Sequence, residues 1–159
     1  MKIRSSALGF TLMELILVIV LLSILSLFAA SRFMGSSSFS AYTLQERVIS
    51  VIRQVQVNRM QSNVASPDNN FRLQVSSSCV GSVVACELTG SAQDARSDVV
   101  IDKSAKFSVI SGAAKTINFN LLGNPVSGAV NILIEDKHGR SRCQVEINSQ
   151  GYVSKGTCS

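Results

Sequence analysis

The sequence predicts an α+β protein in which a long N-terminal helix packs on an antiparallel β-sheet domain with disulfides. Three observations predict it. An apolar run occupies residues 10–30, apolar residues recur every three or four positions between 44 and 55, and short alternating segments follow from residue 71. The first two patterns are typical of helices, and the third is typical of half-buried strands.

The chain opens with a short basic leader, residues 1–9, which contains Lys2 and Arg4. The apolar run 10–30 is long enough to cross a bilayer core as a helix. Basic residues before such a run favour a cytoplasmic N-terminus. A secretory signal peptide cleaved near residues 29–31 and a plain single-span anchor are the two ordinary interpretations.

A single acid, Glu14, lies inside the apolar run. A charged side chain at the bilayer centre costs about 2.5–3.5 kcal/mol on insertion scales. A carboxylate in this position is therefore expected to have a partner. Glu14 also counts against the signal peptide, because the hydrophobic region of a signal peptide is apolar.

Residues 9–14, Gly-Phe-Thr-Leu-Met-Glu, resemble the class III leader of type IV pilins and type II secretion pseudopilins. The resemblance implies that a prepilin peptidase cleaves after Gly9 and that Phe10 becomes N-methylated. The new amine of Phe10 would then pair with Glu14 of a neighbouring subunit. Because an unpaired charge in an apolar bundle is costly, this pair would set the axial register of a filament.

The patterns and the resemblance divide the chain into four segments. They are a prepilin leader (1–9), a transmembrane and filament-core helix (10–30), an amphipathic continuation of that helix (31–64) and a β-rich globular periplasmic domain (65–159). A helix-poor patch at 35–38 is expected to kink the helix. The implied architecture is the pilin fold, in which the hydrophobic half of the helix protrudes from the domain.

The amphipathic half of the helix carries one apolar stripe, and polar residues fill the positions between. The stripe consists of Leu44, Val48, Val51, Ile52 and Val55, and the intervening polar residues are Gln45, Glu46, Arg47, Arg53 and Gln54. The helix is expected to end near Asn63, before a loop at 66–70.

Short alternating segments predict one antiparallel sheet that buries a face against the helix stripe. The predicted strands are 71–75, 83–88, 99–101, 107–110, 117–121, 130–134, 143–147 and 152–153. Turns are expected at 136–139 and 148–151.

Four cysteines follow the apolar segment, at Cys79, Cys86, Cys143 and Cys158. An even number in an exported domain is typical of two disulfides. Three pairings are open, and we favour the local one, Cys79 with Cys86 and Cys143 with Cys158. A zinc site is the alternative, but no pair has C-x-x-C spacing and His138 is the sole histidine. We predict no metal and no other cofactor.

The sequence shows no catalytic constellation. One histidine leaves a single candidate base for nucleophilic catalysis, and no glycine-rich phosphate-binding motif occurs. The formal net charge of +5 is mildly basic and does not by itself require a nucleic-acid partner. We therefore predict a protein that is not an enzyme and has no catalytic residues.

Two C-terminal segments refine the resemblance. Residues 117–125 resemble the F-x-x-x-G-x-P signature of minor pilins related to the H-type pseudopilin, and residues 145–153 resemble their terminal hairpin, with Tyr152 where relatives often carry arginine. The cysteines Cys143 and Cys158 most resemble those of minor pilins of the mannose-sensitive haemagglutinin (MSHA) pilus, in particular its C-type subunit. The resemblance implies an inner-membrane subunit with other pilins as partners, and a secretion pseudopilin is the alternative.

Residues 139–142, Gly-Arg-Ser-Arg, resemble an element of DNA-binding minor pilins. This resemblance makes Arg140, Arg142, Lys137 and Lys155 candidate contacts to DNA phosphates. The ordinary interpretation is that charged residues on an edge strand keep it soluble.

Overall fold

The computed structural model describes residues 11–34, 40–111 and 115–159. The chain divides into two compact units, residues 1–36 and 37–159. The helices are α1 (Leu12–Met34), α2 (Ser40–Gln61), α3 (Val83–Glu87) and α4 (Ser91–Asp94), and Asn69–Phe71 form a 3-10 turn. The strands are β1 (Arg72–Val75), β2 (Cys79–Ser82), β3 (Val99–Ile101), β4 (Ala105–Ser111), β5 (Thr116–Asn118), β6 (Val130–Asp136), β7 (Arg142–Ile147) and β8 (Val153–Cys158).

Helix α1 begins directly after Thr11. The Thr11 hydroxyl accepts a hydrogen bond from the backbone N–H of Glu14 at 3.3 Å, which is one half of a capping box. A carboxylate in the first turn also interacts favourably with the helix dipole. Farther along, the hydroxyls of Ser23 and Ser26 each donate to a carbonyl one turn back at 2.7 Å. These two hydroxyls are therefore satisfied within the helix.

The predicted apolar helix 10–30 corresponds to α1, which continues to Met34. The predicted kink at 35–38 lies outside the described residues. No helix in the described ranges is both long enough and apolar enough to cross a membrane. Membrane insertion therefore stays a prediction.

Helix α2 buries the predicted stripe, whose five residues are all at most 5% exposed. The helix ends at Gln61, two residues before the predicted end. Asn63 then adopts a left-handed φ of 47°, which asparagine tolerates better than most residues. Gln45, one of the polar residues between the stripe positions, is only 4% exposed and lies on the buried face.

The strands form two four-stranded antiparallel sheets rather than the single sheet predicted. The strand order is β3-β2-β1-β5 in one sheet and β4-β6-β7-β8 in the other. Burial alternates along β6 and β7 as expected. The alternation specifies which side chains face the core, but it leaves open which strands become neighbours.

The segment 83–88, predicted as a strand, forms helix α3. The Ser82 hydroxyl caps it by accepting a hydrogen bond from the backbone N–H of Ala85 at 3.2 Å. Strand β2 and helix α4 were not predicted. An apolar run of five or six residues is too short for its periodicity to separate a strand from a helix turn.

The core lies between α2 and the inner faces of the sheets. Full burial of one such apolar side chain contributes about 1.5–3 kcal/mol. The largest fully buried side chains are Phe107, Phe119, Ile52, Leu73, Ile117, Ile132, Ile134 and Ile147.

A half-buried ion pair, Arg96–Asp98, lies at the end of the segment between β2 and β3 that carries α3 and α4. Asp98 is 5% exposed, and Arg96 donates to its two carboxylate oxygens at 2.8 and 2.7 Å. Burial alone would raise the pKa of Asp98, but hydrogen bonds from Arg96 and Ser82 outweigh it. They hold the pKa of this carboxyl below its usual value.

This lowered pKa predicts an acid-dependent loss of stability. The contribution of Asp98 is present above its unfolded pKa of about 3.9 and is lost as the pH falls through the lower folded pKa. We expect Asp98→Asn to flatten the stability–pH curve below about pH 4, as measured by urea unfolding of the full chain in nonionic detergent. Asp94→Asn, at an exposed position on α4, should keep the curve of the parent protein, and equal curves for all three proteins would contradict the assignment.

Candidate functional site

The predicted processing residues Gly9 and Phe10 lie outside the described residues. Glu14 lies in the first turn of α1 and is exposed. It is surrounded by apolar residues on a helix whose large apolar side chains between Leu12 and Leu25 are 41–77% exposed. A contiguous exposed apolar area of this kind is unfavourable in water.

A loop of unusual regularity follows β5. The Oδ1 atom of Asn120 accepts hydrogen bonds from the backbone N–H groups of Leu122 and Asn124, both at 2.9 Å. The backbone N–H of Gly123 donates to the carbonyl of Asn120 at 3.0 Å. Gly123 has a φ of 82°, which favours glycine. This loop contains the predicted F-x-x-x-G-x-P segment.

The turn between β7 and β8 repeats the same design. The Oδ1 atom of Asn148 accepts from the backbone N–H groups of Gln150 and Tyr152, both at 2.9 Å. The N–H of Gly151 donates to the carbonyl of Asn148 at 3.0 Å. The φ of Gly151 is 81°. We call the loops 120–124 and 148–152 the paired Asn turns.

One side chain of α2 joins the paired Asn turns. The Nε2 atom of Gln56 donates to the carbonyl of Gly123 at 2.9 Å and to that of Gly151 at 2.8 Å. Both hydrogens of the amide are therefore used, and Gln56 is 6% exposed. Because a buried carbonyl without a donor is costly, Gln56 holds the two turns together against the helix.

Other polar side chains of α2 act in the same way. Gln45 donates to the carbonyls of Gln144 and Gly156 at 2.7 and 3.2 Å. Arg53 donates to the carbonyl of Val153 at 2.8 Å. These contacts attach the helix to the last two strands by hydrogen bonds as well as by apolar packing.

Gln56 and Arg59 are buried polar residues of α2 that the apolar stripe did not predict. Both continue the stripe at helical spacing beyond Ile52 and Val55, and Arg59 donates to the carbonyl of Phe119 at 3.1 Å. A polar residue at a position where the helical spacing of the stripe continues could have predicted that Gln56 and Arg59 are buried. The repeat N-x-x-G in the paired Asn turns was a second available signal.

The cysteines form the local pairs Cys79–Cys86 and Cys143–Cys158. The first disulfide ties α3 to β2, and the second joins β7 to the end of β8. Each restricts the unfolded chain and so favours the folded domain. In the described part of the chain, no group of three or more metal-ligating side chains comes together.

The candidate DNA contacts lie around the β6–β7 turn and on β8. Arg142 pairs with Glu135 at 3.0 Å, and Lys155 pairs with Glu46. Lys137 and Arg140 are exposed in the turn itself. The carboxylates of Glu135 and Glu46 therefore weaken the attraction of Arg142 and Lys155 for phosphates.

Comparisons with known proteins give one structural likeness. No protein-family model matches the chain, and no curated protein is significantly similar to it. A solved structure with a similar arrangement is that of the type IV minor pilin FimU from Pseudomonas aeruginosa, with a TM-score of 0.47 and 10% sequence identity over 73% of this chain and 92% of that chain. At this identity and TM-score, the likeness assigns neither a family nor a function to the chain.

Proposed function

We propose that the chain is a minor subunit of a type IV filament. The finer proposal is a C-type minor pilin of an MSHA-like pilus, with a role in initiation, at the tip or in decoration of the fibre. The observation that carries the proposal is the segment 9–14 followed directly by α1, whose large apolar side chains are exposed. A prepilin peptidase would cleave after Gly9, and Phe10 would then be N-methylated.

The exposed apolar surface of α1 suits two successive environments. Before assembly the helix would anchor the subunit in the inner membrane, with the β-rich domain in the periplasm. In the filament it would pack in a bundle of similar helices. The apolar side chains are shielded from water in both states, so the hydrophobic effect favours neither state. The free energy of transfer from lipid to the bundle therefore depends on packing and on polar pairs.

Glu14 supplies such a polar pair in the proposal. Within an apolar bundle, its carboxylate would meet the amine of Phe10 from a neighbouring subunit. The attraction between opposite charges grows as the local dielectric falls, and leaving either charge unpaired is costly. Only subunits in the correct axial position would satisfy both charges.

A pseudopilin of type II secretion related to the H-type subunit is the second candidate. The segment 117–125 supports it equally, because the resemblance covers both groups. Filaments isolated from cells distinguish the two, since a pilin co-purifies with surface pili and a pseudopilin with secretion components. A DNA-receptor pilin is less well supported, because Arg142 and Lys155 already contact Glu135 and Glu46.

We expect Glu14→Gln to prevent co-assembly into filaments. Glutamine has nearly the same size as glutamate and is equally compatible with a helix, but it lacks the charge that would pair with the amine. The measurement is the fraction of subunit in sheared filaments, by immunoblot. The intact mass of the parent chain is measured under non-reducing conditions. It should correspond to a chain that begins at a methylated Phe10 and lacks four hydrogens relative to the reduced chain, because two disulfides have formed.

Two controls separate register from helix capping and from processing. Thr11→Val removes the cap hydroxyl that accepts from Glu14 but keeps the carboxylate, so it should assemble. The Glu14→Gln subunit should still show the processed mass. Assembly of Glu14→Gln at the parent level would rule out the proposed charge pair, and a chain beginning near residue 32 would rule out the filament proposal.

A further inference from the structure

The two edges of the sheet β4-β6-β7-β8 differ in their protection. Along β8, side chains of α2 donate to the carbonyls of Val153 and Gly156. Along β4, among the described residues, one backbone hydrogen bond covers the edge, from the N–H of Phe107 to the carbonyl of Ser77 at 3.1 Å. An edge strand with free backbone groups is a template for another strand.

The hydrogen-bond alternation indicates which backbone groups of β4 point away from β6 and have no partner among the described residues. Opposite residues in an antiparallel pair alternate between bonded and non-bonded positions. Phe107 lies opposite Ile134, and its N–H points away from β6 because it reaches Ser77. Val109, opposite Ile132, therefore also points its N–H and C=O away from β6. The carbonyl of Phe107 points the same way.

These backbone groups face a groove of about 490 Å³. Besides Phe107 and Val109, the groove is lined by residues of the β1–β2 segment and by two lysines. The lysines are Lys106 and Lys115, and the described lining residues include no carboxylate.

The lysines give the groove a positive charge. Lys106 and Lys115 are exposed, and within the described ranges neither forms an ion pair. Glu135 lies opposite Lys106 on β6, but its carboxylate is already engaged by Arg142 at 3.0 Å. A second copy of β4 would bring a like charge to this edge, which disfavours self-pairing. An acidic strand would meet complementary charges instead.

We propose that the free edge of β4 binds an extended acidic segment of a partner protein as an added strand. The main-chain ladder would use the carbonyl of Phe107 and the N–H and C=O of Val109, while carboxylates of the segment would meet Lys106 and Lys115. Such strand addition takes its affinity from the ladder and its selectivity from side-chain contacts. The site is independent of the filament proposal, because it requires neither α1 nor processing.

The test uses the full chain in nonionic detergent micelles and a fluorescein-labelled seven-residue peptide of alternating glutamate and valine. We expect saturable binding by fluorescence anisotropy at low salt. Lys106→Glu/Lys115→Glu should weaken binding at least about tenfold, since both charge contacts become repulsive. Arg47→Glu/Lys103→Glu makes the same change in net charge at exposed positions outside the groove and should alter binding less than about twofold.

A second readout separates strand addition from simple anion binding. The bound peptide should slow hydrogen exchange of the Val109 amide, measured by NMR, at least about tenfold. A peptide with proline at its central position lacks one ladder donor and should bind more weakly. The proposal would be overturned if the peptide showed no saturable binding or if the proline peptide bound equally well. It would also be overturned if hydrogen exchange of the Val109 amide did not change on binding. Displacement of the peptide by dextran sulfate with no effect on the exchange of the Val109 amide would likewise overturn it.

Discussion

Gly151→Ala is expected to destabilise the domain by at least about 3 kcal/mol, a large share of the usual 5–15 kcal/mol for a domain. The φ of Gly151 is 81°, where a Cβ atom costs about 1–2 kcal/mol. The new Cβ would also lie 3.0 Å from the carbonyl carbon of Gly123 and closer still to its oxygen. The paired Asn turns would have to separate, and Gln56 would lose an acceptor. Urea unfolding followed by circular dichroism measures the loss.

Gly139→Ala is the matched control for this prediction. Gly139 also has a positive φ, 67°, but a Cβ there meets nothing within 4 Å. Its cost should be the backbone strain alone, about 1–2 kcal/mol. If both variants lost the same stability, the close approach of the two turns would carry no energetic weight.

Gln56→Ala is expected to cost about 2–6 kcal/mol, because two carbonyls lose their donor and each unsatisfied buried group costs about 1–3 kcal/mol. The variant leaves the backbone of both turns unchanged, so it isolates the side-chain contacts to Gly123 and Gly151. Gln56→Glu should be worse at neutral pH, since both carboxylate oxygens are acceptors facing carbonyl oxygens. Thermal and urea unfolding of the full chain in detergent measure both effects.

Gln54→Ala provides the comparison on the same helix. Gln54 donates to the Ser97 hydroxyl at 2.8 Å at the surface, where water can replace the lost partner. The expected cost is within about 0.5 kcal/mol. A loss for Gln56→Ala as small as this would show that the paired Asn turns do not depend on the amide. Gly151→Ala combined with Gln56→Ala should cost less than the sum of the single changes, because the residues share the same contact.

Much of the domain followed from local pattern. The stripe of α2 was predicted residue by residue, because apolar spacing of three and four positions corresponds to one helix face. The hairpins around 136–139 and 148–151 were also predicted, since alternation on both sides of a turn segment is typical of antiparallel strands. Segment 83–88 was predicted wrongly, because the cap of Ser82 and the disulfide of Cys86 outweigh the strand propensity of its valines.

The contacts that join the elements could not be predicted from local sequence patterns. Gln45 and Gln56 are polar, and nothing in the local sequence pattern indicates which groups pair with them when they are buried. Each is buried because it meets backbone carbonyls far along the chain, and Gln56 reaches partners 67 and 95 residues away. Spacing within a helix carries no information about such acceptors.

The sequence by itself determined the apolar face of α2, the two C-terminal hairpins, the four cysteines and the motif 9–14 on which the proposed function depends. These features are local, so the physics of a helix turn, a strand or a short peptide motif suffices to identify them. Only the tertiary structure decided that the strands split into two sheets, that Gln56 joins the paired Asn turns, and that Lys106 and Lys115 line one groove beside β4. Those outcomes depend on which distant segments pack together, because pairing and burial are properties of the assembled core.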